Sequence, residues 1–407
     1  MKTGLDQYTD IITYAVKNSA AKLTKSFEKI LIEVIILYMI IPRKVNFTQM
    51  ERYGSHDEQT YLNNFGKKKS ECIDWLKLNV SLAKRYFGEK GRRAIAIDPS
   101  FISKSGKKTP HIGRFWSGCA QAVKHGLEIM GIGLIDIDAN DCIMLRAHQS
   151  LTGKELGLRD KSMTDFYISV IKRYRRELLK LSTLIVADAY FSTSTFVNGI
   201  KKYGFSLVSR FRDNACLYYV YNGPRTGKRG RPKTKDGKID MNKLDLTRME
   251  KMEMKKADGT AYTLIAYSKA LKCKIRLVIW QMPNGKKKLF FSNDISLSGD
   301  EVLAYYRTRF QIEFCYRDAK GYTGLMHCQA RNKWKLDFAF NASFASLNVA
   351  KVTMKEMGMQ YSMSSFKALM TDTYIVRRIF KACGYNPNRT LISKIFKDLS
   401  CLQRKTA

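Results

Sequence analysis

Apolar residues recur at helical spacing through most of the first 90 residues, and the stretch from Ile30 to Ile41 is apolar almost throughout. That stretch is too short to span a bilayer and carries Glu33, so it predicts a buried helix. Phe47 to Tyr53, then Gly54 and a Ser55…Glu58 pair ahead of Tyr61, Leu62 and Phe65, predict a helix-turn-helix with Ser55 capping its second helix. The same pattern suits a small bundle that touches no DNA. At Arg93 the period changes. Ala94 to Ile97, Gly126 to Ile137 and Cys142 to Ala147 predict three strands in a meander. A helix over Asp165–Leu181, a buried strand over Leu184–Ala187, a helix over Thr195–Tyr203 and a strand over Phe205–Ser209 follow.

Three antiparallel strands followed by strand and helix in alternation is the order of a ribonuclease H-like mixed α/β sheet. Residues 212–294 interrupt it with β-like runs at Cys216–Tyr221, Tyr262–Tyr267, Ile275–Met282 and Lys288–Ser292, rich in aromatic and β-branched residues. Ser298 and Glu301 then form a capping box for a long helix running to about Lys320. The predicted organisation is a helical region over 1–90, a core split between 91–211 and 295–355, a β-rich insertion over 212–294 and a helical region over 356–407.

Charge narrows the class of partner. Lys and Arg total 72 against 36 Asp and Glu, a formal net charge of +36 spread along the 407 residues. Nucleic acid is the usual polyanion that relieves such self-repulsion; a membrane-surface or ribosome-associated protein is the other option composition leaves open. The nine cysteines form no CxxC pair, so neither a zinc site nor a disulfide framework is expected. Without a signal peptide pattern at the N-terminus, a cytoplasmic protein with free thiols is the expectation.

Two acids stand in matching surroundings, Ile-Ala-Ile-Asp98 and Ile-Val-Ala-Asp188. Each is expected to close a buried strand at the carboxyl edge of the sheet, where open α/β folds place ligands. An Asp that merely begins a turn is common, so neither defines a site alone. If the strands are neighbours, the carboxylates repel, and a divalent cation relieves the repulsion. On the predicted helix, Tyr306, Arg309, Glu313 and Lys320 fall within roughly 60° of one another at about 100° per residue. Leu303, Phe310 and Phe314 form an apolar stripe beside them.

The segment from Tyr306 to Lys320 resembles the Tyr-Arg-Glu-Lys signature of bacterial insertion-sequence DDE transposases, with the spacing Y-x2-R-x3-E-x6-K. Asp98 and Asp188 resemble the first two acids of that family, and the long interval before Glu313 fits the subgroup with a β-rich insertion. The resemblance implies that Asp98, Asp188 and Glu313 are catalytic and hold two Mg²⁺ or Mn²⁺ ions for in-line displacement at phosphorus. It implies that Tyr306, Arg309 and Lys320 grip phosphates. The implied partners are the double-stranded inverted-repeat ends of the element and its target DNA, bound by a homodimer in the synaptic complex, in a nucleoid-associated protein. One departure is that relatives stack a flipped base on a Trp where this chain has Lys288. Trp280 lies one strand earlier, so the hairpin route does not follow from the resemblance.

Lys228 to Lys233 adds an AT-hook-like core, Arg229-Gly-Arg231-Pro, whose arginines suit a narrow A·T minor groove; an ordinary basic loop has the same composition. Gly106-Lys-Lys-Thr109 lacks the glycine spacing of a phosphate loop and is set aside. Two rivals remain. A resolvase-like nuclease would lack the Tyr-Arg-Lys set and the insertion. A silent, transposase-derived DNA-binding protein is argued against by the presence of all three acids.

Overall fold

The computed structural model describes residues 3–19, 23–212, 214–224, 233–253, 258–385, 387–388, 390–391, 394–395 and 398. Helices come first: α1 (Gly4–Asn18), α2 (Lys25–Ile40), α3 (Phe47–Tyr53), α4 (Glu58–Asn64), α5 (Lys67–Ser70) and α6 (Trp75–Phe87). The apolar Ile30–Ile41 run falls largely within α2 and is mostly buried. Among the described residues no helix is long and apolar enough to cross a membrane. The short pair α3 and α4 occupies the expected helix-turn-helix, but its cap differs. Asp57, not Ser55, accepts the Thr60 N–H at 2.7 Å, while the Ser55 N–H donates to Glu33. Asp57 wins because it directly precedes the first helical residue, where an Ncap oxygen reaches the orphan N–H groups.

The core follows with β1 (Arg93–Ser103), β2 (Gly113–Ser117), β3 (Ala122–Asp136), β4 (Asp141–Gln149), α7 (Gly153–Gly157), α8 (Met163–Leu179), β5 (Leu184–Val186), α9 (Ser194–Lys201) and β6 (Ser206–Arg210). β1 pairs antiparallel with β3 and parallel with β5, and β5 pairs parallel with β6. With β4 outside β3, the order β4-β3-β1-β5-β6 is ribonuclease H-like. The insertion contributes β7 (Leu217–Val220), β8 (Lys235–Lys238), β9 (Glu250–Met252), β10 (Thr260–Ser268), β11 (Cys273–Gln281) and β12 (Lys287–Ser292). It extends the same sheet, because β12 pairs antiparallel with β6 through Phe291 and Ser209. The result is one twelve-stranded sheet. Then come α10 (Gly299–Thr308), α11 (Phe310–Tyr322), α12 (Lys333–Glu356) and α13 (Met363–Ala382).

Strand alternation sends side chains to two cores. Ala94, Ala96, Leu184 and Val186 join the apolar residues of α1, α2, α11, α12 and α13 on one face. Ile95, Ile97, Ile185 and Ala187 join those of α8 and α9 on the other. α12 is buried nearly all round from Leu336 to Met354 and acts as a central post. It also closes the outer edge of the sheet. Asn348 accepts from the Met144 N–H and donates to the Met144 carbonyl; Asn341 does the same for Ala147. Two amide side chains seven residues apart thus stand in for a missing strand beside β4, satisfying backbone groups that burial would otherwise strand.

Candidate active site

β1 does not stop at Asp98 as the Asp-Pro pair suggested. It runs on to Ser103, paired with β3 along its whole length. Proline keeps an extended φ and biases the residue before it toward extension, so Asp98-Pro99 continues the strand when a long partner is present. Asp188 does lie just past its strand, as the cap of the 3-10 turn Ala189–Phe191, where its Oδ1 accepts the Tyr190 N–H. The parallel register pairs Ile95 with Ile185 and Ala96 with Val186. Two residues further along each strand stand Asp98 and Asp188. The alternation that sends Ala96 and Val186 toward α11 sends both carboxylates to that same face.

The signature helix is bent, not continuous. Its first half opens with the expected Ser298–Glu301 capping box, and the break falls at Arg309, between α10 and α11. The Thr308 hydroxyl bonds back to the Ala304 carbonyl, and the Arg309 and Ile312 N–H groups bond three residues back. Such back-bonding bends helices. The bend changes which side of α11 is buried. Ile312, Cys315, Tyr316 and Ala319 face the sheet, whereas Phe310 and Phe314, expected in the packed stripe, are 53% and 40% exposed.

The bend delivers Arg309 between two acids. Its Nη2 lies 2.7 Å from Glu313 Oε1 and its Nη1 3.8 Å from Asp98 Oδ1, with the guanidinium side chain only 8% exposed. Its Nε is buried without a partner. Tyr306 and Phe310 lie within cation–π range of the same guanidinium. Lys320 sits two turns along α11, its Nζ donating to Ser100 Oγ at 2.8 Å and to the Phe101 carbonyl. Desolvation lowers its pKa. Asp98 is pushed up to about 8, chiefly by loss of hydration; Arg309 opposes this, and the nearby Asp188 and Glu313 charges add to it. Asp98, Arg309, Glu313 and Lys320 are therefore gathered on one side of β1, with Asp188 just past the end of the neighbouring β5. Arg229 and Arg231 lie outside the described residues.

Residues that sequence reasoning passed over hold this arrangement. The Tyr316 hydroxyl donates to the Asp98 carbonyl at 2.7 Å, tying α11 to β1 one turn from Glu313. Gly131, paired with Asp98 across β3, makes room for that hydroxyl. A Cβ at Gly131 would run into Tyr316 Oη and lie 2.8 Å from Met144 Cε. Gly131→Ala is accordingly expected to cost about 1–3 kcal/mol through overpacking and to cut cleavage more than DNA binding, as read by urea melts and a nicking assay. Tyr316 carried a faint sequence signal, three residues after Glu313 on the same helix. Gly131 carried none.

Such a sheet, antiparallel at one side and parallel beyond β1, is a ribonuclease H-like fold. The family model described as DDE superfamily endonuclease matches residues 24–267, more than half of the chain, and the chain belongs to that family. The matched span contains Asp98 and Asp188 and ends ahead of α11. No curated protein matches the chain.

Enzymes of this superfamily use divalent metals. In the conformation described, no group of three or more His, Cys, Asp or Glu among the described residues is gathered tightly enough to hold an ion. Arg309 stands between two of the acids instead. The donor set nevertheless fits a hard cation: three carboxylates, with Asp98 driven toward its neutral form first by loss of hydration and then by its negative neighbours.

Proposed function

We propose that the chain is a DNA transposase of the bacterial insertion-sequence type with the Tyr-Arg-Glu-Lys signature. Asp98, Asp188 and Glu313 would carry out cutting and rejoining at the ends of a mobile element. The observation that supports this most is the approach of Asp98 and Glu313 to one buried guanidinium, with Asp188 just past the end of the adjoining strand. The three acids would hold two Mg²⁺ or Mn²⁺ ions, which when bound supply positive charge at the transferring phosphoryl group and activate the attacking hydroxyl.

The remaining parts follow from the chain itself. Tyr316 fixes the height of α11 over β1. Arg309 neutralises Asp98 and Glu313 and keeps their repulsion from opening the site. Lys320 presents an ammonium beside the strand that carries Asp98, where a phosphate of the cut end would pass. The helical residues 1–90 would contact the element ends, the basic 228–233 segment the A·T-rich minor groove, and two copies would pair the ends. Trp280 pairs directly with Lys288 across β11 and β12, so a stacking ring is available one strand from its place in relatives.

The test is a supercoiled plasmid carrying the DNA that flanks the coding region on both sides. Nicks at the element ends that leave 3′-hydroxyls, dependent on Mg²⁺ or Mn²⁺ and followed by strand joining, are expected. Cleavage without preference for those ends would make the protein a general nuclease. No cleavage with either ion would overturn the reading.

A further inference from the structure

A second basic site lies outside the catalytic face. The register that pairs Asp98 with Gly131 also pairs Gly131 with Ala147, so Ala147 sits level with Asp98 two strands outward, roughly 10 Å away at ~4.8 Å per strand. Arg146, beside Ala147 but turned to the opposite, α8 face with Ile132 and Tyr174, lines a cavity of about 360 Å³ between β4, the loop before α8, and the start of α12. Arg159, Lys161, Arg173 and Lys333 also line it, and the one carboxylate in its wall is Asp337.

That carboxylate is already taken. Both its oxygens lie 2.8 Å from Arg146 Nη2, and Arg146 Nε donates to the Tyr174 hydroxyl at 3.2 Å. Arg146 Nη1 is buried and has no acceptor, although the side chain is only 11% exposed. An unmet donor on a permanently charged group is costly, and with its one carboxylate already shared the guanidinium adds positive charge to the cavity wall. Neighbouring His148 is held neutral by burial and the nearby Arg146 and Arg173, and supplies no further charge. The bases around the rim outnumber the acid.

We infer that this cavity binds a backbone phosphate of the DNA, with the Arg146 guanidinium as the fixed charge in its wall and Lys161 and Arg173 as the surrounding charge. The inference rests on the DNA-cleaving reading above. It adds a contact that sets where the duplex lies without taking part in bond breaking.

The experiment uses the full chain and end-DNA duplexes in which single phosphates are replaced, one at a time, by neutral methylphosphonates. Wild-type protein is expected to lose about tenfold in affinity at one or two positions beyond the cleaved bond. Lys161→Ala/Arg173→Ala should lose that position-specific sensitivity and show a salt slope smaller by about one to two. Both side chains are exposed, so the fold should survive. Arg146→Lys, which keeps a cation beside Asp337 but not the free fork, should lose the same sensitivity. Wild-type protein that binds and nicks ends normally, with variants that keep its interference pattern and slope, overturns the cavity assignment alone. Wild-type protein that neither binds nor nicks ends overturns the DNA reading, and this inference with it.

Discussion

Alanine at Asp98, Asp188 or Glu313 is expected to lower metal-dependent cleavage of end DNA by about 10³-fold or more, equivalent to about 4 kcal/mol of transition-state stabilisation. End binding, read by mobility shift, should persist. Loss of binding in all three variants would show the carboxylates holding the fold instead. Asp98 permits a sharper test. Its folded pKa of about 8 lies far above the value near 4 of an unfolded carboxyl. The folded chain therefore keeps a proton that the unfolded chain releases, and stability falls as pH rises from about 4 to about 8, then levels off. Asp98→Asn, neutral at every pH, should stabilise the metal-free protein more at pH 8.5 than at pH 5 in urea melts. An equal effect at both would mean that Asp98 is ionised throughout. Were Mg²⁺ to bind at the proposed site, it would displace the same proton, and its stabilising effect should grow across the same window.

The second large effect concerns a buried ion pair. Lys351 in α12 is 3% exposed, with its Nζ 2.5 Å from Asp141 Oδ1 and 2.8 Å from the Cys142 carbonyl. Tyr86 donates to the other oxygen of Asp141. Asp141→Ala strands the ammonium in a site walled by Cys142, Cys315 and Tyr361, and should cost about 3–5 kcal/mol. That is a large share of a typical stability of about 5–15 kcal/mol. Adding Lys351→Met should recover most of it, because the uncompensated charge, not the lost contact, is the main penalty. A double variant as unstable as Asp141→Ala would refute that account.

What could be read from the chain beforehand follows the range of the interactions. The core strands and Asp188's place after its strand are local, fixed by apolar runs and the residues that end them. The reach of β1 past Asp98 was hidden because it depends on β3, some thirty residues away, whose pairing overrides the Asp-Pro signal. The spacing of Tyr306, Arg309, Glu313 and Lys320 was legible, yet the bend at Arg309 was not. Thr308 is an ordinary helix residue until its hydroxyl turns back onto Ala304, and that turn is why Phe310 and Phe314 face outward. Continuity of the insertion with the core depends on β12 meeting β6 across more than eighty residues. Asn341 and Asn348 are ambiguous in an apolar helix for the same reason: their partners lie about 200 residues earlier.

Those two asparagines also set a timetable for synthesis. Met144 leaves the ribosome 204 residues before Asn348, and at ~5–20 residues per second this leaves the outer edge of β4 uncovered for ~10–40 s. During that interval the nascent chain presents an unpaired strand edge of the kind that recruits other chains. A chain ending before α12 would keep that edge permanently. The last third of the gene completes the first half of the fold, and translation must reach it before the sheet is safe from its neighbours.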